Sequence, residues 1–69
     1  MRRIPNLETA IDECRKRKLK YWYEWYNNSH IKFYINGFRG CVYLTSKKDN
    51  PDRVRKDVEK FLTGVRGVG

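Results

Sequence analysis

Residues 20–46, KYWYEWYNNSHIKFYINGFRGCVYLTS, decide the fold of this chain. The Asn27-Asn28-Ser29 triplet has the side chains of a tight turn, and Asn36-Gly37 is a hairpin signal that the next three residues widen into a loop. The stretches around these turns are rich in aromatic and β-branched residues and alternate in polarity, as strands do. The pattern therefore predicts three antiparallel strands, at 20–26, 31–36 and 41–46.

Helical periodicity flanks the strands on both sides. Residues 6–19 carry apolar residues at i, i+3, i+4 and i+7, and Asn6 predicts an N-cap at their start. Residues 51–63 follow Asn50 as a cap, and Gly64 predicts the end of this second helix. Each helix therefore has one apolar face to bury. The two apolar stripes consist of Leu7, Ala10, Ile11 and Cys14, and of Val54, Val58, Phe61, Leu62 and Val65.

The order of these elements predicts an α+β fold. It consists of one helix, three strands in an antiparallel sheet and a second helix, with both helices on one face of the sheet. Residues 1–69 form a single domain in this interpretation, with 64–69 as a flexible tail.

The alternation assigns side chains to the two faces of the sheet. In the first strand we expect Tyr21, Tyr23 and Trp25 to point toward the helices, because the opposite parity would bury Lys20 and Glu24. From the other two strands, the covered face is predicted to hold Ile31, Phe33, Ile35, Val42 and Leu44.

The uncovered face of the predicted sheet is aromatic and basic. Aromatic rings with interleaved lysines are suited to stacking against bases. Two alternatives stay open: these rings pair only across strands, or they form a dimer interface. The predicted face carries Lys20, Trp22, Glu24, Tyr26, Lys32, Tyr34 and Tyr43.

The composition limits the class of protein. The chain has 69 residues, with 16 Lys and Arg against 8 Asp and Glu, a formal net charge of +8 and a pI near 9.8. Two Trp, five Tyr and three Phe distinguish it from a disordered basic tail. It has neither an apolar run of membrane-spanning length nor a signal-peptide pattern, so we expect a cytoplasmic protein that does not bind membranes.

Metal and cofactor chemistry has no sequence signal. Cys14 and Cys41 lack CxxC spacing and cannot build a framework of several disulfides, and Cys14 falls on an apolar helical stripe. The chain has one histidine and lacks a Gly-rich phosphate loop. The sequence therefore predicts neither a metal site nor a cofactor.

The net charge points to a polyanionic partner, of which nucleic acid is the commonest. An acidic host protein or antitoxin is the alternative, and the chain itself is expected to be a monomer or a weak homodimer. Much of the second helix's charge can pair at i, i+4, for example Arg55 with Glu59, which leaves the other cations for phosphate. The predicted nucleic-acid-binding residues are Arg15, Lys16, Arg17, Lys18, Lys20, Lys32, Lys47 and Lys48, with Trp22, Tyr34 and Tyr43 for stacking.

His30 is the candidate catalytic residue, because it is the one side chain suited to proton transfer near neutral pH. Cleavage of an RNA strand needs a group that deprotonates the 2′-hydroxyl and another that protonates the leaving oxygen. The alternative is that His30 only stabilises the turn before the second strand.

Ser29-His30, the strand at 31–35, Asn36-Gly37 and the strand at 42–45 together resemble the HicA toxin family. The resemblance implies a fold like that of double-stranded-RNA-binding domains and activity as a ribosome-independent mRNA interferase of a toxin–antitoxin pair. His30 would match the family's catalytic histidine, while Asn28 stands where the family has Gly. Residues 48–53 look more like small basic proteins of phages and mobile elements.

Ser46-Lys47-Lys48 is similar to the lysine run with which double-stranded-RNA-binding domains grip phosphates. Three functions are therefore expected candidates. The first is a nucleic-acid-binding domain of phage or mobile-element type, for RNA more than DNA. The second is a HicA-like interferase that uses His30, and the third is a module that binds an acidic protein.

Overall fold

A computed structural model describes residues 4–64 of the chain, so Val65 and all of the predicted tail except Gly64 lie outside the described residues. The chain forms α1 at Pro5–Lys16, β1 at Tyr21–Trp25, β2 at His30–Ile35, β3 at Val42–Thr45 and α2 at Pro51–Thr63. This order confirms the predicted α-β-β-β-α architecture. None of the helices within residues 4–64 is long and apolar enough to cross a membrane.

The three strands form one antiparallel sheet in the order β1-β2-β3. Tyr23 stands opposite Phe33 in β2, and Phe33 stands opposite Val42 in β3, so these three side chains share a face. The helices pack against each other and lie over that face, mainly over β2 and β3. The core between them consists of Leu7, Ala10, Cys14, Ile31, Phe33, Ile35, Val42, Leu44, Val54 and Val58.

The start of α1 corrects one prediction. The helix begins at Pro5 with Ile4 as its N-cap residue, and Asn6 already lies inside the first turn. Proline suits the first helical position because its missing N–H would have no helical acceptor there. The Asn6 side chain therefore does not cap the helix, and it is buried, with 1% of its surface exposed.

The end of α1 comes three residues earlier than predicted. Lys18 takes a left-handed conformation with φ of 59°. Its N–H donates to the Arg15 carbonyl, and the Leu19 N–H donates to the Cys14 carbonyl at 2.9 Å. This is a Schellman motif, in which glycine usually holds the position of Lys18. The chain turns here and enters β1.

The bounds of α2 agree with the prediction, and Gly64 ends the helix in the left-handed conformation with φ of 64°. Asn50 is its N-cap residue, but the Asn50 side chain makes no capping hydrogen bond. Pro51 fixes the first turn instead, because its φ angle is already helical.

The helices leave most of β1 uncovered. Tyr21, Tyr23 and Trp25 lie on the helix side of the sheet, as the register with β2 shows, but only Tyr21 packs against the core. Tyr23 is 45% exposed and Trp25 is 49% exposed. The predicted parity is confirmed, but of these three residues only Tyr21 is covered by the helices.

Candidate nucleic-acid interface

The open face of the sheet carries two pairs of aromatic rings. Trp22 and Tyr34 are cross-strand neighbours, and their rings stack with centroids 5.1 Å apart and planes 9° apart. Trp22 keeps 52% of its surface exposed. The pair therefore presents a flat ring surface to solvent, which is the geometry that a nucleobase needs for stacking.

Tyr26 and Tyr43 form the second pair, edge to face with centroids 5.6 Å apart. Lys32 lies between them and the first pair, with its Nζ 5.1 Å from the centre of the Tyr26 ring. Tyr26 is 57% exposed and Tyr43 is 54% exposed. Because Lys32 is held over a ring, its charge stays at the centre of the aromatic surface.

Among the described residues of the three strands, Glu24 is the one acidic side chain on this face, and it is engaged within the sheet. The Tyr34 hydroxyl donates to Glu24 Oε2 at 3.1 Å. Partial desolvation, followed by this hydrogen bond, raises the pKa of the Tyr34 hydroxyl. The bond therefore holds the Glu24 carboxylate against a neighbouring side chain of the same face.

Asn6 fixes the loop that carries Lys47 and Lys48. Its Nδ2 donates to the carbonyls of Thr45 at 2.8 Å and Lys48 at 2.7 Å, and its Oδ1 accepts from the Asn50 N–H at 2.8 Å. One buried side chain thus joins the start of α1, the end of β3 and the residue before α2. The exposed Lys47 and Lys48 side chains therefore project from a loop with a defined backbone.

The basic residues at the end of α1 divide into two groups. Lys16 and Arg17 bind the buried Glu13 carboxylate at 3.2 and 2.7 Å, and Arg55 of α2 lies 3.8 Å from it. The Arg17 hydrogen bond is the main cause that lowers the pKa of Glu13, against the opposing effect of burial. Arg15 and Lys18 are exposed and make no ion pair within residues 4–64.

The charges of α2 pair differently from the expectation. Arg53 lies 3.7 Å from Asp57 at i, i+4, as predicted. Arg55 binds Asp52 at 2.8 Å and approaches Glu13 of α1, whereas the sequence predicted a bond to Glu59. The tertiary contact with Glu13 could not be read from spacing within one helix.

Two basic regions flank the aromatic surface, one at the end of α1 and one in the loop that carries Lys47 and Lys48. Lys20 and the end of α1 adjoin the start of β1, which pairs with the end of β2. Lys47 and Lys48 follow β3, which pairs with the start of β2. Because β2 has six residues, its two ends lie about 17 Å apart. Positive charge therefore stands at both ends of the exposed rings.

His30 lies at the Lys47 end of the sheet in a fixed orientation. The Asn27 Oδ1 accepts from the Ser29 and His30 N–H groups, both at 2.8 Å, and closes the turn. Nδ1 of His30 lies 3.1 Å from the Ser29 hydroxyl and 3.3 Å from Asn27 Oδ1. All of these contacts are satisfied when Nδ1 carries the proton, which leaves Nε2 with a free lone pair.

A shallow cleft of about 280 Å³ adjoins His30, and its lining includes Tyr43, Thr45, Arg53 and Asp57. The cleft thus contains an imidazole from β2 and a guanidinium and a carboxylate from α2. Within residues 4–64, there is no group of three His, Cys, Asp or Glu side chains that could hold a metal ion.

Comparison with known proteins gives no relative: no protein-family model, no curated protein and no solved structure matches the chain. The resemblance to HicA, carried by Ser29 and His30, stays a prediction. The functional residue that sequence reasoning missed is Asn6. Its signal was Pro5, which suits the first helical position and so places Asn6 beyond the cap.

Proposed function

We propose that this protein binds single-stranded nucleic acid, RNA in preference to DNA, on the open face of its sheet. The observation that carries the proposal is the set of four aromatic rings of Trp22, Tyr26, Tyr34 and Tyr43 on a sheet face that neither helix covers. Unpaired bases can stack on such rings, whereas bases inside a duplex cannot reach them.

The charges support the same mode of binding. A nucleic-acid strand that lies along β2 would meet the aromatic rings, on which its bases can stack, near the centre of the face. It would meet lysines or arginines near both ends of β2. Lys32 adds a cation within the aromatic surface. RNA is the favoured nucleic acid because its loops and single-stranded segments are the common targets of aromatic stacking.

The two tryptophans of β1 provide a matched test of the face. Trp22 lies on the open face and is 52% exposed, while Trp25 lies on the helix side and is 49% exposed. We expect Trp22→Ala to weaken binding about 5- to 150-fold, the typical effect of one lost stacking contact. Trp25→Ala should leave the affinity unchanged.

The measurement is fluorescence anisotropy of labelled single-stranded RNA, single-stranded DNA and duplex RNA at sub-micromolar protein. Equal effects of the two substitutions would place the ligand elsewhere than on the open face. Tighter binding of the duplex than of the single strand would contradict base stacking as the source of affinity.

The basic loop is tested through the salt dependence of binding. Replacing Lys47 and Lys48 together by Gln should flatten the slope of log K against log salt by about 1.4 on a single strand. The control replaces Lys56 and Lys60, which are exposed on α2, and makes the same change in net charge. If both pairs change the slope equally, the loop has no special part in binding.

A second candidate function is cleavage of bound RNA by His30. The observation in its favour is the hydrogen bonding of Nδ1 to Ser29 and Asn27, which leaves Nε2 as the nitrogen able to accept a proton. In this role Nε2 would take the proton of a 2′-hydroxyl as its oxygen attacks the phosphorus, and Arg53 in the same cleft would bind the phosphate. The bond from phosphorus to the 5′-oxygen would break, and that oxygen would take its proton from solvent.

Incubation of a long RNA with the wild type and with His30→Ala tests this activity. General-base help is typically worth 10²–10⁴-fold, so the variant should lose nearly all cleavage and keep its RNA affinity. Arg53→Gln should slow cleavage without changing the fold. Equal degradation by the wild type and His30→Ala, or none by either, would remove catalysis and leave the binding function.

A further inference from the structure

The outer edge of β1 has backbone groups that no other strand within residues 4–64 satisfies. The Asn36 N–H donates to the Lys20 carbonyl, and the Tyr26 N–H donates to the His30 carbonyl, both at 2.9 Å. In an antiparallel pair, residues alternate between those that bond to the neighbour and those that face away. Tyr21, Tyr23 and Trp25 therefore direct their N–H and C=O groups away from β2.

The opposite edge of the sheet is less available. β3 has only four residues, and the outward carbonyl of Thr45 is already bound by Asn6 Nδ2 at 2.8 Å. β1 is longer, contains no proline and has no bulge in its pairing with β2. An extended edge of this kind is a template for another strand.

Aromatic surface accompanies the free edge on both faces. Tyr23 and Trp25 are 45% and 49% exposed on the helix side, and Trp22 and Tyr26 are 52% and 57% exposed on the open side. Side chains of neighbouring strands pack side by side, so pairing of two copies at this edge would bury the flanks of these rings and leave the open face of the sheet accessible. With the strand backbones added, these flanks correspond to a small specific interface.

We propose that the occupant of this edge is a second copy of the chain, whose β1 pairs antiparallel about a two-fold axis at Tyr23. This register satisfies the outward groups of Tyr21, Tyr23 and Trp25 in both copies. It places Tyr23 opposite Tyr23 of the second copy, and Tyr21 opposite Trp25 of the second copy. The product is one continuous six-stranded sheet.

The charges of β1 favour this partner and this direction. Lys20 and Glu24 share the open face, and in the proposed register each lies diagonally across from the opposite charge in the second copy. The basic ends of the two α1 helices come to lie about 20 Å apart, beyond the screening length of about 8 Å at physiological salt. Parallel pairing would place them side by side.

Sedimentation without RNA tests the dimer, so its outcome is independent of the proposed RNA binding. We expect a reversible monomer–dimer equilibrium with a dissociation constant on the order of 10–100 µM, the affinity of small interfaces. Tyr23→Lys puts two lysines directly opposite each other and should weaken the dimer at least tenfold. Tyr43→Lys, at a ring of similar exposure on the open face, should dimerise as the wild type does.

Amide hydrogen exchange of the wild type provides a second measurement that needs no variant. Raising the concentration should protect the amides of Tyr21, Tyr23 and Trp25, while those of Trp22 and Glu24 are protected at every concentration. A wild type that stays monomeric at the highest concentration would overturn the proposal. So would a dimer that Tyr43→Lys disrupts and Tyr23→Lys does not, because the open faces would then be the interface.

Discussion

β1 and β3 are the two edge strands of the same sheet, and their surroundings are opposite. Leu44 in β3 is 2% exposed and Val42 is 7% exposed, whereas Tyr23 and Trp25 on the same face of β1 are about half exposed. Asn6 also binds the outer edge of β3. β2 and β3 thus form a covered half of the sheet, and β1 extends beyond the helices.

The difference shows what alternation in a strand means. It specifies which side chains share a face, because successive residues point to opposite sides. It does not specify whether another layer covers that face. The helix pair lies over β2 and β3, so the same alternation gives a core in one half and an exposed aromatic strand in the other.

The largest expected effect is on stability, and it compares a residue of the covered half of the sheet with its cross-strand partner in β1. Phe33 is fully buried and stands opposite the half-exposed Tyr23. Phe33→Ala should cost about 3–5 kcal/mol, comparable with the whole stability of a domain this small, so the variant should be largely unfolded. Tyr23→Ala should cost less than about 1 kcal/mol.

Urea denaturation followed by circular dichroism measures both variants. Similar losses for Phe33→Ala and Tyr23→Ala would mean that β1 is covered after all, and the distinction between the halves would be wrong.

The second prediction removes the side chain that closes the β3 edge. Asn6→Ala leaves two carbonyls and one N–H without their partner at a site that is 1% exposed. Buried polar groups without partners are costly, so we expect a loss of about 2–3 kcal/mol. Thr9→Ala is the control on the same helix, because within residues 4–64 the Thr9 hydroxyl bonds only to the exposed Pro5 carbonyl. Matching losses in the free energy of unfolding would contradict this role of Asn6.

The order of the elements, their bounds to within a few residues and the residues of the core follow from the sequence, because periodicity reports which positions are apolar together. The roles of Asn6 and Lys18 do not. Asn6 bonds to residues about forty positions away, and no local pattern specifies those partners. Lys18 holds a position that glycine usually takes, so it gave no signal of a helix end.

The candidate site, too, follows from the sequence only in part. Strand parity alone predicts that Trp22, Lys32, Tyr34 and Tyr43 share one face, and the register of the strands agrees. The pairing of Glu13 with Lys16, Arg17 and Arg55 depends on how α1 meets α2. Half of the predicted basic cluster at the end of α1 therefore binds a carboxylate within the fold, which spacing alone did not reveal.

The third prediction concerns how acid affects the stability that Glu13 of α1 gives to the fold. The pKa of Glu13 is lowered below its ordinary value of 4.5, chiefly by the Arg17 hydrogen bond. Its charge therefore stabilises the fold above pH 4.5, and that contribution is lost as the pH falls through the lower folded-state value. Glu13→Gln should thus be less stable than the wild type near neutral pH, and the difference should shrink in acid.

Thermal unfolding of both proteins between about pH 6 and pH 3 measures this dependence. Glu59→Gln, an exposed site on α2, is the control and should leave the pH dependence nearly unchanged. A constant difference between the wild type and Glu13→Gln at every pH would show that Glu13 acts through packing rather than charge.

The smallest effect lies where the chain leaves the covered half and enters β1. Lys18 has φ of 59°, a conformation that costs a residue with a side chain roughly 1–2 kcal/mol and costs glycine little. Lys18→Gly should therefore stabilise the protein by about 1 kcal/mol, a rise in Tm of about 4–8 °C. Arg15→Gly removes the same charge three residues earlier but lies inside the helix, where glycine costs about 1 kcal/mol. Lys18→Gly should thus raise the stability, and Arg15→Gly should lower it. Both variants should flatten the salt slope of RNA binding by about 0.7. A fall in Tm for Lys18→Gly would show that the lysine side chain, rather than the backbone turn, holds this junction.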